Sequence, residues 1–390
     1  MSLKEGRDES VRRRHPWIFS GAVASVRGTP AAGDTVIVES VHGEFLAAAA
    51  YSPKSQIRLR VWSFADEVID SHFFRRRIEA ALALRRDLGF LDADGACRLV
   101  YAEADALPGL IVDRYGDVLQ CQFLSAGSER WRDVIVEVLQ ETLAPAAIYE
   151  RSVGSGRKKE GLPSRQGPIA GRFEWQVIEL RSGDVRVLVD PAGGQKTGAF
   201  LDQQRNQIDV AALGARGRVL DAFSYTGGFA LQALVHGAER ATLIDSSAAA
   251  LESARHHAEL NGVAGKCEYT CANAFEALRD LKDRGQRYEL VVLDPPKFVH
   301  GAGDLRKGTR AYKDINRLGL ALVAPGGMLA TFSCSGNVDA ALFQKVVASA
   351  SVEAGRRATI AQHLFQSPDH PLLLDFPESL YLKGLLLRVD

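Results

Sequence analysis

From Asp202 onward, short apolar runs alternate with segments of helical periodicity, and this alternation restricts the fold more than any other feature of the chain. Apolar runs without polar interleaving need cover on both faces, and a parallel sheet wrapped by helices provides it. Strands are predicted at Arg218–Asp221, Ala241–Asp245, Lys266–Thr270, Leu290–Asp294 and Met328–Ser333. Helices are predicted at Gly228–His236, Ala248–Asn261, Phe275–Asp283, Arg310–Leu322 and Val338–Ala354. Two final segments, Arg357–Phe365 and Leu380–Val389, have the character of an antiparallel edge. The fold class that follows is α/β, with a doubly wound, Rossmann-like C-terminal domain.

The preceding residues read differently. A chain of 390 residues exceeds the size at which one core stops growing, so several domains are expected. Residues 1–68 read as a small β-rich domain, with strands at Asp34–Val38, Phe45–Tyr51 and Ile57–Trp62. Residues 69–190 read as a central α+β domain. It has helices at Phe73–Leu88 and Glu129–Thr142, and strands at Arg98–Tyr101, Leu110–Asp113, Val118–Phe123 and Ala146–Glu150. It closes with a hairpin pairing Glu174–Arg181 with Val185–Asp190. Residues 191–390 form the third domain.

Two segments are rich in cations. Val11–Ala31 carries Arg12, Arg13, Arg14, His15, Trp17 and Arg27 and no acidic residue, which suits an RNA-facing surface or, equally, a solvated arginine cluster beside a buried tryptophan. Gly154–Gly171 reads as a loop with Arg157, Lys158, Lys159 and Arg165, either contacting phosphates or simply exposed. Lysine plus arginine and aspartate plus glutamate both total 48, so attraction to a polyanion must come from such local patches. The charged N-terminus lacks a secretory apolar region and no run has the length of a membrane span, so a cytoplasmic protein without membrane association is expected. The five cysteines include no C-x-x-C pair, and His256, His257, Cys267 and Cys271 lack ligand spacing, so no metal site is expected. The oligomeric state stays open, a homodimer included.

In an open α/β sheet, ligands bind beyond the carboxyl ends of the strands, near the switch in strand order. Here the first strand runs into Asp221-Ala-Phe-Ser-Tyr-Thr-Gly-Gly-Phe229, and the second ends at Asp245. Gly227 and Gly228 let the backbone approach a ligand, and Asp245 is placed to accept from ribose hydroxyls. The candidate cofactor residues are Asp221, Phe223, Ser224, Tyr225, Gly227, Gly228, Asp245 and Ser246. A dinucleotide needs G-x-G-x-x-G to cradle a pyrophosphate, and this turn lacks that spacing. S-adenosylmethionine has no pyrophosphate, and its ammonium suits an acidic Asp221.

Asp294-Pro-Pro-Lys-Phe298 follows the fourth strand. Its prolines remove two donors and stiffen a loop whose carbonyls can accept from a planar base. The fifth strand ends in Thr331-Phe-Ser-Cys-Ser-Gly336, which places Cys334 at the same edge as Asp294. A thiolate adding to pyrimidine C6 makes C5 nucleophilic enough to take a methyl group, so Cys334 is the candidate nucleophile.

At these motifs the chain resembles the RlmI-type ribosomal RNA large-subunit cytosine-C5 methyltransferases, which join a PUA domain, a central α+β domain and a class I methyltransferase domain. The resemblance spans nearly the whole chain. His15-Pro-Trp-Ile-Phe-Ser-Gly21 is similar to the family's opening and Thr197-Gly-Ala-Phe-Leu-Asp-Gln-Gln-Arg205 to its approach to the catalytic domain. Asp294–Phe298, Tyr312-Lys-Asp-Ile-Asn316 and Phe332–Gly336 are similar to its catalytic loops. The resemblance implies that Phe200, Asp202, Arg205, Asp221 and Asp245 line the cofactor site, that Asp294 contacts both cofactor and base, and that Cys334 is the nucleophile. It also places Asn273, with Ala274, where class I methyltransferases often read the adenine amino group with an aspartate. Lys297 stands where other RNA cytosine-C5 methyltransferases carry a second cysteine. The expected activity is methyl transfer from S-adenosylmethionine to C5 of a cytosine in large-subunit ribosomal RNA. Two rivals remain: methylation of an exocyclic base amine, which needs no thiol, and a non-catalytic RNA-binding assembly factor.

Overall fold

The computed structural model describes residues 1–172, 177–191 and 199–390. The start of the expected hairpin strand, Glu174–Trp175–Gln176, and Thr197-Gly198 of the approach motif lie outside the described residues. The chain divides into two compact units. The first comprises Met1–Leu180, Val189–Leu201 and Pro368–Ser379, and the second Arg181–Leu188, Asp202–Ser367 and Leu380–Asp390.

The first unit holds two sheets. One has six strands in the order Trp17–Phe19, Ile57–Ser63, Phe45–Tyr51, Thr35–Glu39, Ser2–Leu3, Val23–Ser25. The other has five, in the order Arg165–Gly171, Ala147–Ser152, Val118–Phe123, Leu110–Tyr115, Ala96–Tyr101. Helices Ser71–Asp87 and Arg132–Leu143 supply the apolar cover of the second sheet, and Asp70 caps the first of them by accepting from the Phe73 N–H at 2.9 Å. Trp62, from the first sheet, is buried in that same core and meets Phe73 and Phe74 edge-on. A Cβ on Gly127 would lie 2.8 Å from the Trp62 ring, so the tryptophan reaches a helix that only glycine allows it to touch.

Arg157, expected on a phosphate-contacting loop, is fully buried against Glu129 at 2.8 Å. The Gly154–Gly171 segment is not a loop, since it forms helix Ser155–Lys159 and strand Arg165–Gly171. Its glycines suggested a loop, but pairing with Ala147–Ser152 overrides that local signal. Lys158 and Lys159 are exposed, whereas Arg165 pairs with Glu129 at 3.0 Å.

Three arginines of Val11–Ala31 also find acidic partners from outside the segment. Arg12 pairs with Asp8 and Glu44, Arg27 with Glu39, and Arg13 contacts Glu9, while the Trp17 indole N–H donates to Glu103 at 2.7 Å.

The second unit is built on a seven-stranded sheet. Its strands are β1 (Arg218–Ala222), β2 (Arg240–Asp245), β3 (Cys267–Cys271), β4 (Tyr288–Leu293), β5 (Val323–Ser333), β6 (Ala358–Phe365) and β7 (Lys383–Val389). They lie in the order β3-β2-β1-β4-β5-β7-β6, the first five parallel and β7 antiparallel to both neighbours. The two last segments do pair, but β7 inserts beside β5 and leaves β6 as the edge. Successive residues face opposite sides: Leu220, Ala222, Val291 and Leu293 enter one core, and Val219, Leu243, Leu290 and Val292 the other. The helices are α1 (Gln204–Gly214), α2 (Gly228–Val235), α3 (Ala248–Leu260), α4 (Ala274–Asp283), α5 (Leu305–Leu322) and α6 (Ala340–Glu353). Side chains of Ser247, Asn273 and Asp339 cap α3, α4 and α6. Among the described residues, no helix is long and apolar enough to cross a membrane.

Candidate active site

The strand order reverses between β1 and β4, and a ligand crevice is expected beyond the carboxyl ends at that point. Asp221 lies there at 1% exposure. Its Oδ2 accepts from the Ala230 N–H in the first turn of α2 at 3.1 Å, and its Oδ1 has no partner. Burial pushes this carboxyl up to about 8. The Ala230 N–H opposes the rise, and the charges of Asp294 and Asp245 add to it.

The turn after β1 is held in an unusual conformation. Phe223 and Tyr225 have φ of +63° and +49°, left-handed values that side chains seldom adopt, and Gly227 follows at +84°. Asp245 fixes this turn, because Oδ2 accepts from the Tyr225 N–H at 2.9 Å while Oδ1 accepts from the Ser247 N–H at 2.8 Å. The Ser224 hydroxyl is buried without a partner, and its N–H reaches the Ile244 carbonyl at 3.0 Å. A Cβ on Gly227 would come within 2.8 Å of Leu243, so α2 packs onto β2 only because that residue is glycine.

These groups fit S-adenosylmethionine. An orphaned buried carboxylate oxygen suits its ammonium, and Asp245 keeps lone pairs for a diol on the adjoining strand. Ser246 is exposed at the end of β2. Asn273 is exposed at the end of β3, where its Oδ1 already accepts from the Phe275 N–H at 2.9 Å, while Ala274 behind it is buried.

The chemical end lies on β4 and β5. Asp294 follows the last residue of β4, and its N–H points to the Ala222 carbonyl at 3.4 Å, which keeps it next to the Asp221 strand. Cys334 is half-buried one residue past β5, against the apolar cluster that includes Phe332. Ser335 joins the two loops, since its Oγ accepts from the Val299 N–H at 3.2 Å and lies 2.9 Å from the Tyr312 hydroxyl. The Phe298 ring packs on Tyr312 with centroids 4.8 Å apart. Tyr312–Asn316, expected as a catalytic loop, is part of helix α5. The fully buried Tyr312 braces the thiol turn from behind, and Asn316 donates to its carbonyl at 2.8 Å.

The other expected cofactor residues lie on α1 and in the chain just before it, and Gln207 of α1 packs against Gly228 of the turn. Asp202 accepts from the Tyr381 hydroxyl at 2.5 Å, and Arg205 is a surface residue paired with Asp209 at 2.9 Å. Phe200 falls in the other compact unit.

Sequence reasoning gave no individual role to Ser335, Tyr312 or His257, and it missed Lys383. His257 is buried between the Thr226 carbonyl, at 3.1 Å, and Leu188, whose N–H donates to it at 3.0 Å; burial lowers its basicity. It thereby ties the hairpin strand Val185–Val189 to the cofactor turn. A histidine beside another on an amphipathic helix gave no signal of this, because both partners are backbone atoms distant in sequence.

Residues 170–388 match the S-adenosylmethionine-dependent methyltransferase family, and residues 1–64 match the PUA-like domain family. Among solved structures, the fold matches a protein from Streptococcus mutans described as a SAM-dependent methyltransferase, at TM-score 0.85 and 19% identity over 100% of this chain and 99% of that one. A methyltransferase complexed with SAH matches at TM-score 0.86 and 18% identity, with the same coverage. Fold and sequence together define a PUA-like, S-adenosylmethionine-dependent methyltransferase.

Curated relatives narrow this further. Ribosomal RNA large subunit methyltransferase I of Vibrio cholerae is 45% identical over 390 residues, covering 99% of this chain and 98% of the relative. That of Klebsiella pneumoniae is 44% identical over 389 residues, covering 99% and 97%. The chain belongs to the ribosomal RNA large subunit methyltransferase I family.

Proposed function

We propose that this enzyme methylates C5 of a cytosine in large-subunit ribosomal RNA, with Cys334 adding to C6. The observation that carries the reading is the joint placement of a half-buried thiol and the Asp-Pro-Pro loop at one strand edge, tied together through Ser335. Asp221 and Asp245 would hold the cofactor's ammonium and ribose on the Phe223–Gly228 turn, with Ser246, Asn273 and Ala274 on the adenosine side. Arg205 would act from the start of α1 and Asp202 from the residues just before it. Bound there, the cofactor supplies an electrophilic methyl group.

Asp294 and the carbonyls after it would orient the base by accepting from its exocyclic amine. Cys334 would add to C6 and make C5 enamine-like; C5 would take the methyl group as the demethylated cofactor leaves, and loss of the C5 proton with departure of the thiolate would then restore the ring. Residues 1–68 and 69–190 would hold RNA and 191–390 would perform the transfer. Phosphates would meet exposed lysines such as Lys158 and Lys159 and the exposed Arg14, because Arg12, Arg13 and Arg27 already have acidic partners. A cytoplasmic location goes with such a substrate.

Replacing Cys334 and trapping with 5-fluorocytosine RNA tests the proposal. Cys334→Ala should lose turnover while keeping cofactor affinity, and wild-type protein should form a complex with the fluorinated RNA that survives denaturation. Retained activity without that complex would refute the C5 mechanism and favour an exocyclic amine target.

A further inference from the structure

A buried lysine stands beside the thiol turn, and the mechanism above gives it no task. Lys383 opens β7, pairs in register with Ser333 of β5, and is only 3% exposed. Its Nζ donates to the Ser335 carbonyl at 2.7 Å and to the Tyr381 carbonyl at 2.8 Å. Of the residues on either side of Cys334, Ser333 thus lies opposite Lys383 in the strand register and Ser335 accepts from its ammonium. Burying an ammonium is costly unless negative charge or several acceptors compensate it. The two carbonyls supply dipoles only. The ionisable groups facing Lys383 are Cys334 and Asp339, which favour its charged form, and Lys297, which opposes it. Asp339 is engaged at the N-terminus of α6, where it accepts from the Leu342 N–H at 2.7 Å. Cys334 also faces the Tyr312 hydroxyl.

We infer that Lys383 is the positioning residue of Cys334: it clamps the 334–336 turn and holds the sulfur as a thiolate beside its ammonium. The inference rests on the nucleophile reading of Cys334. The thiol proton passes to solvent when Nζ is already an ammonium and to Nζ when it is a neutral amine, so both routes end at the same thiolate–ammonium pair. Burial lowers Lys383 to about 8 while the neighbouring sulfur raises it.

The test is the pH dependence of alkylation by iodoacetamide, read cysteine by cysteine by peptide mass spectrometry on the full chain without RNA or cofactor. In wild-type protein, the inflection for Cys334 should lie at least one pH unit below that of exposed Cys271. Lys383→Met should raise it by a unit or more, cutting the rate at pH 7 about tenfold, and Lys383→Arg should restore it. A structural role alone would alter the high-pH plateau and leave the inflection in place, which overturns the inference. So does a wild-type Cys334 inflection at or above that of Cys271, a comparison that needs no variant to fold. Should the thiol titrate normally while Cys334→Ala is inactive and the fluorinated RNA still traps, the role of Lys383 falls and the nucleophile stands.

Discussion

Asp221→Asn should stabilise the fold while it damages cofactor binding. The wild-type carboxyl is buried, keeps its proton to about 8 when folded, and loses it near 3.8 when unfolded. Between those values the folded state binds one proton more than the unfolded state, so stability falls as pH rises through the window and the loss is complete above about 8. Each pH unit is worth about 1.4 kcal/mol, which sets a ceiling of roughly 4 kcal/mol between pH 5 and pH 8. Asparagine mimics the protonated carboxyl, keeps an oxygen for the Ala230 N–H, and does not titrate.

Thermal unfolding of the two proteins should therefore diverge steadily from pH 5 to pH 8 in favour of the variant, by about 2–4 °C per kcal/mol for a unit of this size. The same carboxyl predicts proton release. If the cofactor's ammonium settles against Asp221 as proposed, the carboxyl ionises, so calorimetry near pH 7 in buffers of different ionisation enthalpy should report up to one proton released. That release should vanish in Asp221→Asn. A stability difference that stays flat with pH, or full-affinity binding without proton release, would refute the reasoning.

Asp245→Ala removes the acceptor for the Tyr225 and Ser247 N–H groups together with the proposed ribose contact, so it should weaken S-adenosylmethionine and its demethylated product together, tenfold or more by calorimetry; unchanged affinity would count against the site. Gly227→Ala forces a Cβ into left-handed backbone 2.8 Å from Leu243 and should cost about 1–3 kcal/mol in denaturant unfolding. Trp62→Ala should cost about 3–5 kcal/mol and loosen the core around Phe73 and Phe74, visible as accelerated amide exchange in helix Ser71–Asp87; protection equal to wild type would contradict the shared core.

The catalytic sheet was legible in the sequence because its strands are buried on both faces. Continuous apolar runs, each closing on a polar residue such as Asp221 or Asp245, give strand, direction and ligand edge at once. The first unit was less legible for the same physical reason in reverse. Its short strands, Ser2–Leu3 and Trp17–Phe19 among them, take their conformation from partners far along the chain, and Arg165–Gly171 becomes a strand only beside Ala147–Ser152. The single helix expected over Glu129–Thr142 is broken into Ala126–Arg130 and Arg132–Leu143.

At the site, residue type and place on a strand end were enough to nominate Asp221, Asp245, Asp294 and Cys334. Sequence alone was enough to propose those residues, because ligands of an open parallel sheet bind beyond the carboxyl ends of its strands. What only tertiary structure decided is the environment of those groups: the burial that raises Asp221, the Ser335 bridge between two loops, and Lys383 beside the thiol. Each depends on burial or on a partner from another strand, and β7, which brings Lys383 beside β5, is the last strand of the chain. No local pattern records that an antiparallel strand will enter a parallel sheet beside Cys334, because that pairing is set by the packing of the whole unit.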